Sequence, residues 1–375
     1  MITVIADEKI PFLRGALEPY ACVKYLDGME IDREALVRAD ALLIRTRTRC
    51  NEQLLQGSRV KFIATATIGY DHIDTGYCDS HEVRWANAPG CNAASVQQYI
   101  ASVLVNLAVK QNYPLSGKTL GIIGVGHVGK KVEALAKILG MKTLLNDPPR
   151  VRSEGINGFV PIEKVLAEAD VITLHVPLNH EGADNTFHLI GKAALDLVKS
   201  RAWLINSSRG EVVDGNALKM ALNTGKLAGA VIDVWENEPD IDLQLLDKVF
   251  LATPHIAGYS TDGKRNGTVQ VVRSLGAHFD FPLSDWEPSG IPEPPSPLIR
   301  LDCRDLSSEI SLCQAILHTY DVTDDNLRFR SCPENFEKQR GSYPVRREFP
   351  AYKLKLSNAG DPLKHVFENL GFQLI

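Results

Sequence analysis

The sequence predicts an α/β protein: two doubly wound parallel-sheet domains around a cleft, followed by a small α+β segment. Three observations predict it. Short apolar runs alternate with helical segments from residue 1 to about 257. One of those runs leads into a glycine turn and an amphipathic helix. A proline-rich stretch, 284–298, then sets apart a last piece, 299–375. At 375 residues the chain has room for two or three domains of roughly 150 residues each.

In chain order, Ile2–Ala6, Ala41–Ile44 and Phe62–Ala64 read as parallel strands. Asp32–Ala39 and Asn51–Gln56 read as the helices between them. Asn92–Lys110 is a long helix expected to bridge to the next domain. Thr119–Val125 is a buried strand, and the strand Met141–Asn146 ends on Asp147. Val171–His175, Ala202–Asn206 and Gly229–Val234 continue the series. Ser284–Leu298 is expected to be an extended spacer, because its prolines cannot join a helix or a central strand. The piece beyond it is small for a self-sufficient core. Its apolar residues, Leu312, Ile316, Leu317, Tyr320, Val366 and Leu370, predict packing on a partner.

The glycine turn carries the first chemical signal. Gly124-Val-Gly126-His127-Val128-Gly129 follows a strand and opens a helix whose Val132, Leu135, Ala136 and Leu139 share one face. Gly124 permits a tight turn, Gly126 lets a pyrophosphate approach the backbone, and Gly129 lets helix and strand pack closely. The helix N-terminus supplies free N–H groups and partial positive charge. Strand, Gly-x-Gly-x-x-Gly, helix, strand and acid together make a Rossmann-like dinucleotide site. Asp147 would accept ribose hydroxyls and repel a 2′-phosphate, which favours NAD over NADP; Arg150 weakens that preference slightly.

Bulk properties exclude other classes. The net charge of −5 argues against nucleic acid or an anionic membrane as a partner. No apolar run approaches the ~20 residues of a membrane helix. The N-terminus reads as a strand rather than a signal peptide. Seven scattered cysteines with no Cys-x-x-Cys predict reduced thiols in a cytoplasmic protein, and no metal-ligand spacing is present.

Four segments bring polar residues to strand ends. They are Leu204-Ile-Asn-Ser207-Ser208-Arg209-Gly, Val231-Ile-Asp233-Val-Trp-Glu236-Asn-Glu238-Pro, Leu251-Ala-Thr-Pro-His255-Ile-Ala-Gly258-Tyr259, and Phe62 to Asp74 with Thr67 and Gly69. Oxidising a secondary alcohol with NAD needs a base for the hydroxyl proton, a cation to orient the substrate, and donors for its carboxylate. His255 is the base, with Glu238 raising its basicity and fixing its tautomer. Arg209 is the cation, able to grip a carboxylate or keto acid with two parallel bonds. The amides around Thr67–Gly69 suit the carboxylate.

With these segments in order and spacing, the chain resembles the D-isomer-specific 2-hydroxyacid dehydrogenases. The resemblance spans about residues 1–282. It implies Arg209, Glu238 and His255 as the catalytic residues. It implies a substrate domain from 1–95 and 258–283 with an NAD-binding domain, 96–257, inserted. Ala88-Pro-Gly-Cys-Asn-Ala, Asn146-Asp-Pro-Pro-Arg150, Thr253-Pro-His-Ile-Ala-Gly-Tyr-Ser and a tail with Arg346-Arg-Glu point to one branch. That branch oxidises 4-phospho-D-erythronate to 3-hydroxy-2-oxo-4-phosphobutanoate in pyridoxal phosphate synthesis, as a homodimer joined through its C-terminal domain, here 299–375. The cofactor positions implied are Gly124, Gly126, His127, Val128, Gly129, Asp147, Val176, Ser207, Ser208, Asp233 and Gly258. The substrate positions are Thr46, Thr67 and Tyr259. Val176 stands where the family usually has Thr, so only its backbone is on offer.

A substrate with a phosphate and a carboxylate needs extra cations. In Arg45-Thr46-Arg47-Thr48-Arg49 an extended chain would put the three arginines on one side and the threonines on the other, and Arg45 is the one assigned to substrate. Arg346 and Arg347 are candidates to reach a neighbouring subunit's cleft. The alternatives are another D-2-hydroxy acid substrate (phosphoglycerate, glyoxylate or D-lactate) and a non-catalytic NADH-sensing, corepressor-like dimer.

Overall fold

Strand pairing is parallel in all three sheets, as alternating apolar runs and crossover helices require. The computed structural model describes residues Met1–Ile375. They form two compact units, Met1–Asn92 with Ser260–Pro292, and Ala93–Tyr259 with Glu293–Ile375.

The first unit is built on a five-stranded sheet in the order Ala21–Leu26, Ile2–Asp7, Ala41–Ile44, Phe62–Thr65, Arg84–Ala86. The three central strands are the apolar runs seen in the sequence. The two edge strands escape that reading because they are half-exposed and carry Lys24 and Arg84 instead of an apolar run. The helix Thr261–His278 starts at Ser260, whose hydroxyl accepts the Gly263 N–H at 2.8 Å. Its Val271, Val272 and Leu275 join Val4, Ala6, Leu43 and Phe62 in one core. The proline-rich stretch forms no helix or strand before Leu298. It is nevertheless tied down: Glu287 pairs with Arg265 and Arg273, and Trp286 packs on the same core.

The second unit has a six-stranded sheet in the order Leu251–Ala252, Leu227–Ile232, Ala202–Asn206, Val171–Leu174, Thr119–Ile123, Lys142–Asn146. Phe159 adds a single bridge to Leu145 at the outer edge. Counting that bridge as a vestigial strand, the order in chain sequence is 3-2-1-4-5-6-7, the doubly wound arrangement. The direction of winding reverses between Thr119–Ile123 and Val171–Leu174, and such a switch point is where ligands bind.

The helix Ala93–Lys110, expected as a bridge, opens the second unit and is buried on nearly every face. Its polar residues are covered by the C-terminal segment. Gln98 donates to Thr319 Oγ1 and the Arg347 carbonyl, Ser102 Oγ accepts the Val322 N–H, and Asn106 donates to Asp321. That segment carries its own three-stranded sheet, Leu298–Asp302, Lys353–Ser357, Gln373–Leu374. The expectation that its apolar residues await a partner is corrected. Leu312, Ile316, Tyr320 and Leu370 are buried in the core they share with Leu104 and Leu107 of the long helix, and Leu317 and Val366 pack against it. Phe329 and Phe336 enter a second core with Trp235. The burial of these residues is met within the chain. No helix is long and apolar enough to cross a membrane.

Phe329 is fully buried, 6.0 Å from the Trp235 ring. Phe329→Ala should destabilise the protein by about 3–5 kcal/mol in urea unfolding. A change under about 1 kcal/mol would mean the C-terminal segment does not share that core.

Candidate active site

The glycine loop lies at the switch point, at the C-terminal end of Thr119–Ile123. Gly124 has φ +88, and a Cβ there would come within 2.6 Å of the His175 carbonyl oxygen and 2.9 Å of Val176. A Cβ on Gly129 would fall 2.1 Å from the Gly124 carbonyl oxygen. Gly126 differs: its Cβ would meet nothing within 4 Å, so the backbone is open to a ligand on that side. His127 and Val128 form the first turn of the following helix, His127–Ile138, whose amides have no intrahelical partner. A turn, a close contact and an open face are what a pyrophosphate site needs.

Asp147 follows directly on the next strand, Lys142–Asn146, and is buried. Its Oδ2 accepts the Val125 N–H at 2.8 Å and its Oδ1 caps the Arg150 N–H at 3.0 Å. The carboxylate is thus fixed beside the glycine loop with lone pairs left for hydroxyl donors. Arg150 pairs with Glu154, donates to the Val125 carbonyl and lies over Phe159. Its charge is neutralised locally, so it weakens the preference for NAD less than the sequence suggests. Val176 is half-buried beside Gly124.

Three neighbouring strands deliver the other residues from their C-terminal ends. After Ala202–Asn206, the Asn206 side chain stitches the turn. It accepts from the N–H and hydroxyl of Ser208 and donates to the Arg209 carbonyl, at 2.8–3.1 Å. Ser207 Oγ is buried with no hydrogen-bond partner, a polar atom suited to a ligand. Arg209 is half-buried and extended, and its Nη1 donates to the Ser208 carbonyl. The next residue, Gly210, packs so closely that a Cβ would sit 2.0 Å from the Trp235 carbonyl oxygen. Only glycine lets the Arg209 turn lie against the Trp235–Glu238 turn.

Asp233 follows directly on the adjacent strand, Leu227–Ile232. It is fully buried, and burial pushes its carboxyl above the ordinary value, against the pull of His255 and its donors. Its Oδ1 accepts from Thr253 Oγ1 and the Ile256 N–H, its Oδ2 from the Ala257 N–H, and its carbonyl from the His255 N–H. A cofactor contact through this side chain is left to a remaining lone pair.

His255 stands at φ +56, a left-handed conformation uncommon for histidine. Its Nδ1 lies 2.7 Å from Glu238 Oε2. That contact assigns the proton to Nδ1 and leaves Nε2 as the basic nitrogen. Glu238 Oε1 accepts the Trp235 N–H at 2.9 Å, so both carboxylate oxygens are held. Burial would raise its pKa, but His255, the Trp235 amide and Arg340 outweigh burial and hold it below the ordinary value. Gly258 and Tyr259 follow, half-buried.

In the first unit, Thr67 Oγ1 meets Thr65 Oγ1 at 2.7 Å and the Gly69 carbonyl at 2.9 Å. The alternation expected for residues 45–49 is corrected. The chain turns after Ile44 instead of staying extended. Thr48 is buried, bonded to the Gly28 carbonyl, while Thr46, Arg47 and Arg49 are exposed and Arg45 is half-buried with Nη1 near the Lys9 carbonyl. Arg346 is corrected too. It is 4% exposed, lies over Tyr320 and donates to the Ala257 carbonyl at 2.6 Å, so it serves its own chain's His255 loop instead of a neighbour's cleft.

The sequence reading missed Thr253, which bonds both Asp233 and Tyr99, and Arg340 beside Tyr259. A hydroxyl two residues before His255 was a visible signal. Arg340 gave none, being one charge among many in a polar helix.

Residues 95–257 match the family model described as D-isomer specific 2-hydroxyacid dehydrogenase, NAD binding domain. Residues 293–371 match one described as a domain of unknown function. The chain is 48% identical over 352 residues to erythronate-4-phosphate dehydrogenase of Bacteroides thetaiotaomicron, covering 94% of this chain and 98% of the relative. It is 37% identical over 382 residues to that of Pseudomonas syringae pv. syringae, covering 99% and 100%. Among solved structures, D-lactate dehydrogenase from Aquifex aeolicus, complexed with NAD and lactic acid, superposes with a TM-score of 0.63 at 28% identity, covering 74% of this chain and 95% of that one. NAD-bound 3-phosphoglycerate dehydrogenase of Entamoeba histolytica shares the fold, with a TM-score of 0.64 at 24% identity, covering 78% and 99%.

The glycine loop separates stability from binding. Gly129→Ala should cost about 1–3 kcal/mol in urea unfolding, because its Cβ meets fixed backbone. Gly126→Ala should leave stability within about 0.5 kcal/mol of wild type yet weaken NADH binding, read by nucleotide fluorescence. Equal NADH affinity in the Gly126 variant would place the pyrophosphate elsewhere.

Proposed function

The chain belongs to the D-isomer specific 2-hydroxyacid dehydrogenase family, and we propose that it oxidises 4-phospho-D-erythronate to 3-hydroxy-2-oxo-4-phosphobutanoate with NAD. The observation that carries this reading is similarity along almost the whole chain to erythronate-4-phosphate dehydrogenases, including the last piece. The solved lactate and phosphoglycerate enzymes cover only about three quarters of the chain.

Gly126, His127, Val128 and Gly129 would hold the pyrophosphate, Asp147 the ribose hydroxyls, and Val176, Ser207, Ser208, Asp233 and Gly258 the remainder of the dinucleotide. When bound, NAD supplies the hydride acceptor. His255 Nε2 takes the hydroxyl proton from the substrate as the C–H hydride departs, and the carbonyl forms. Glu238 stabilises the imidazolium that results and keeps the ring in the productive tautomer. The Arg209 guanidinium orients the substrate carboxylate and the forming carbonyl. Arg45, Thr46, Thr67 and Tyr259 would be the remaining residues for the substrate.

A homodimer joined through residues 299–375 belongs to the same reading. Although the segment's core is filled by its own chain, it exposes Ile310, Leu327 and Val345, at 44–66%. Light scattering on the purified chain should give twice the mass of one subunit; a single-subunit mass overturns this part.

The test of function is reduction of NAD followed by absorbance with 4-phospho-D-erythronate, 3-phosphoglycerate, D-lactate and glycolate. The four-carbon phosphate should give the highest kcat/KM. His255→Ala should lose about 100-fold or more of kcat with NADH binding nearly intact. Arg209→Lys should lose a similar factor, since an ammonium cannot reproduce the fork. Preference for another acid reassigns the substrate, and no turnover of any favours a nucleotide-sensing role.

A further inference from the structure

We propose that Arg340, delivered by the C-terminal segment, is a positioning residue for this reaction: it lies against Tyr259 and presents its charge to the Glu238–His255 pair. The inference rests on the functional reading above and adds a residue to it. Arg340 lies in the last turn of the short helix Phe336–Gly341, and its guanidinium carbon is 5.5 Å from the Tyr259 ring centre and 5.7 Å from that of Phe336. Its side chain is 16% exposed. Nη1 bonds Glu337 at 3.0 Å, while Nε is buried with no hydrogen-bond partner. A buried guanidinium with an unmet donor is costly unless the site uses its charge.

The neighbours define what that charge does. Arg340 bonds Glu337 and lies over the Tyr259 ring, and the negative charges of Glu337 and Glu238 favour its charged form against burial. Glu238 is bonded to His255 and the Trp235 N–H, which with the Arg340 charge favour its carboxylate against burial, and His255 is faced in turn by the buried Asp233. Tyr259 is also bracketed by Tyr343, edge-on at 6.0 Å. Tyr343 bonds the buried Asp325, and beside it Arg346 is anchored on the Ala257 carbonyl. The C-terminal segment therefore contacts the His255 loop through Arg346 at Ala257 and through Arg340 and Tyr343 at Tyr259. Arg346 holds backbone, and Arg340 adds a positive charge on the side of the loop that carries Tyr259.

The experiment is the pH dependence of kcat/KM for 4-phospho-D-erythronate in the full-length protein, for wild type, Arg340→Met and Arg340→Lys. Removing a nearby cation makes protons bind more readily to the groups it faces. The acid limb in Arg340→Met should move to higher pH by about half a unit or more. Arg340→Lys keeps the charge, so its limb should stay with wild type even if its plateau falls. A purely structural role lowers the plateau without moving the limb, and that result in Arg340→Met overturns the proposal. If Arg340→Met does not fold, Arg340→Gln gives the same reading with a smaller packing change. A wild type that turns over none of the 2-hydroxy acids removes the functional reading and this inference together; an active wild type with an unmoved limb removes this inference alone.

Discussion

The buried carboxylate of Asp233 is the interaction on which the rest of the site depends. His255 sits in a left-handed backbone conformation that costs on the order of 1–3 kcal/mol. Asp233 offsets that cost by accepting from Thr253, Ile256 and Ala257 with its side chain and from His255 with its carbonyl. Hydrogen bonds contribute about 0.5–1.5 kcal/mol each, so the set of bonds offsets the strain. The same carboxylate sits in a fully buried position that raises its pKa. The donors that hold the loop therefore also offset the burial of Asp233.

From that anchor the chemistry follows by adjacency. Parallel strands lie about 4.8 Å apart, and the turns at their C-terminal ends share one edge of the sheet. Arg209, Glu238 and His255 leave three consecutive strands of the second unit, and Gly210 closes the first of those turns onto the second. The glycine loop occupies the same edge at the point where the winding reverses. The C-terminal segment extends this frame. It buries the polar face of Ala93–Lys110 and fastens Arg346 to the loop that carries His255.

Much of this was legible in the residues. The glycine spacing, Asp147 and the central strands follow from local rules: apolar runs make buried strands, and backbone needing φ > 0 or close approach selects glycine. Arg209, Glu238 and His255 stood out because each follows an apolar run and adjoins Gly or Pro. What was hidden depends on tertiary contact. The edge strands Ala21–Leu26 and Arg84–Ala86 lack an apolar signature because solvent covers one side. The packing of residues 299–375 on their own chain cannot be told from packing on a partner, since both require the same apolar residues. Arg45–Arg49 reads as alternating only if the strand continues, and a turn after Ile44 ends it. Thr253 and Arg340 act through neighbours far away in sequence.

The central claim is that this site removes a hydride from the carbon bearing the substrate hydroxyl while His255 accepts the proton. It is tested most directly with 4-phospho-D-erythronate deuterated at C2, by mass spectrometry of the NADH formed. The account predicts one deuterium in the reduced nicotinamide and a slowed chemical step in single turnover. Unlabelled NADH, with the deuterium released to water, would contradict it.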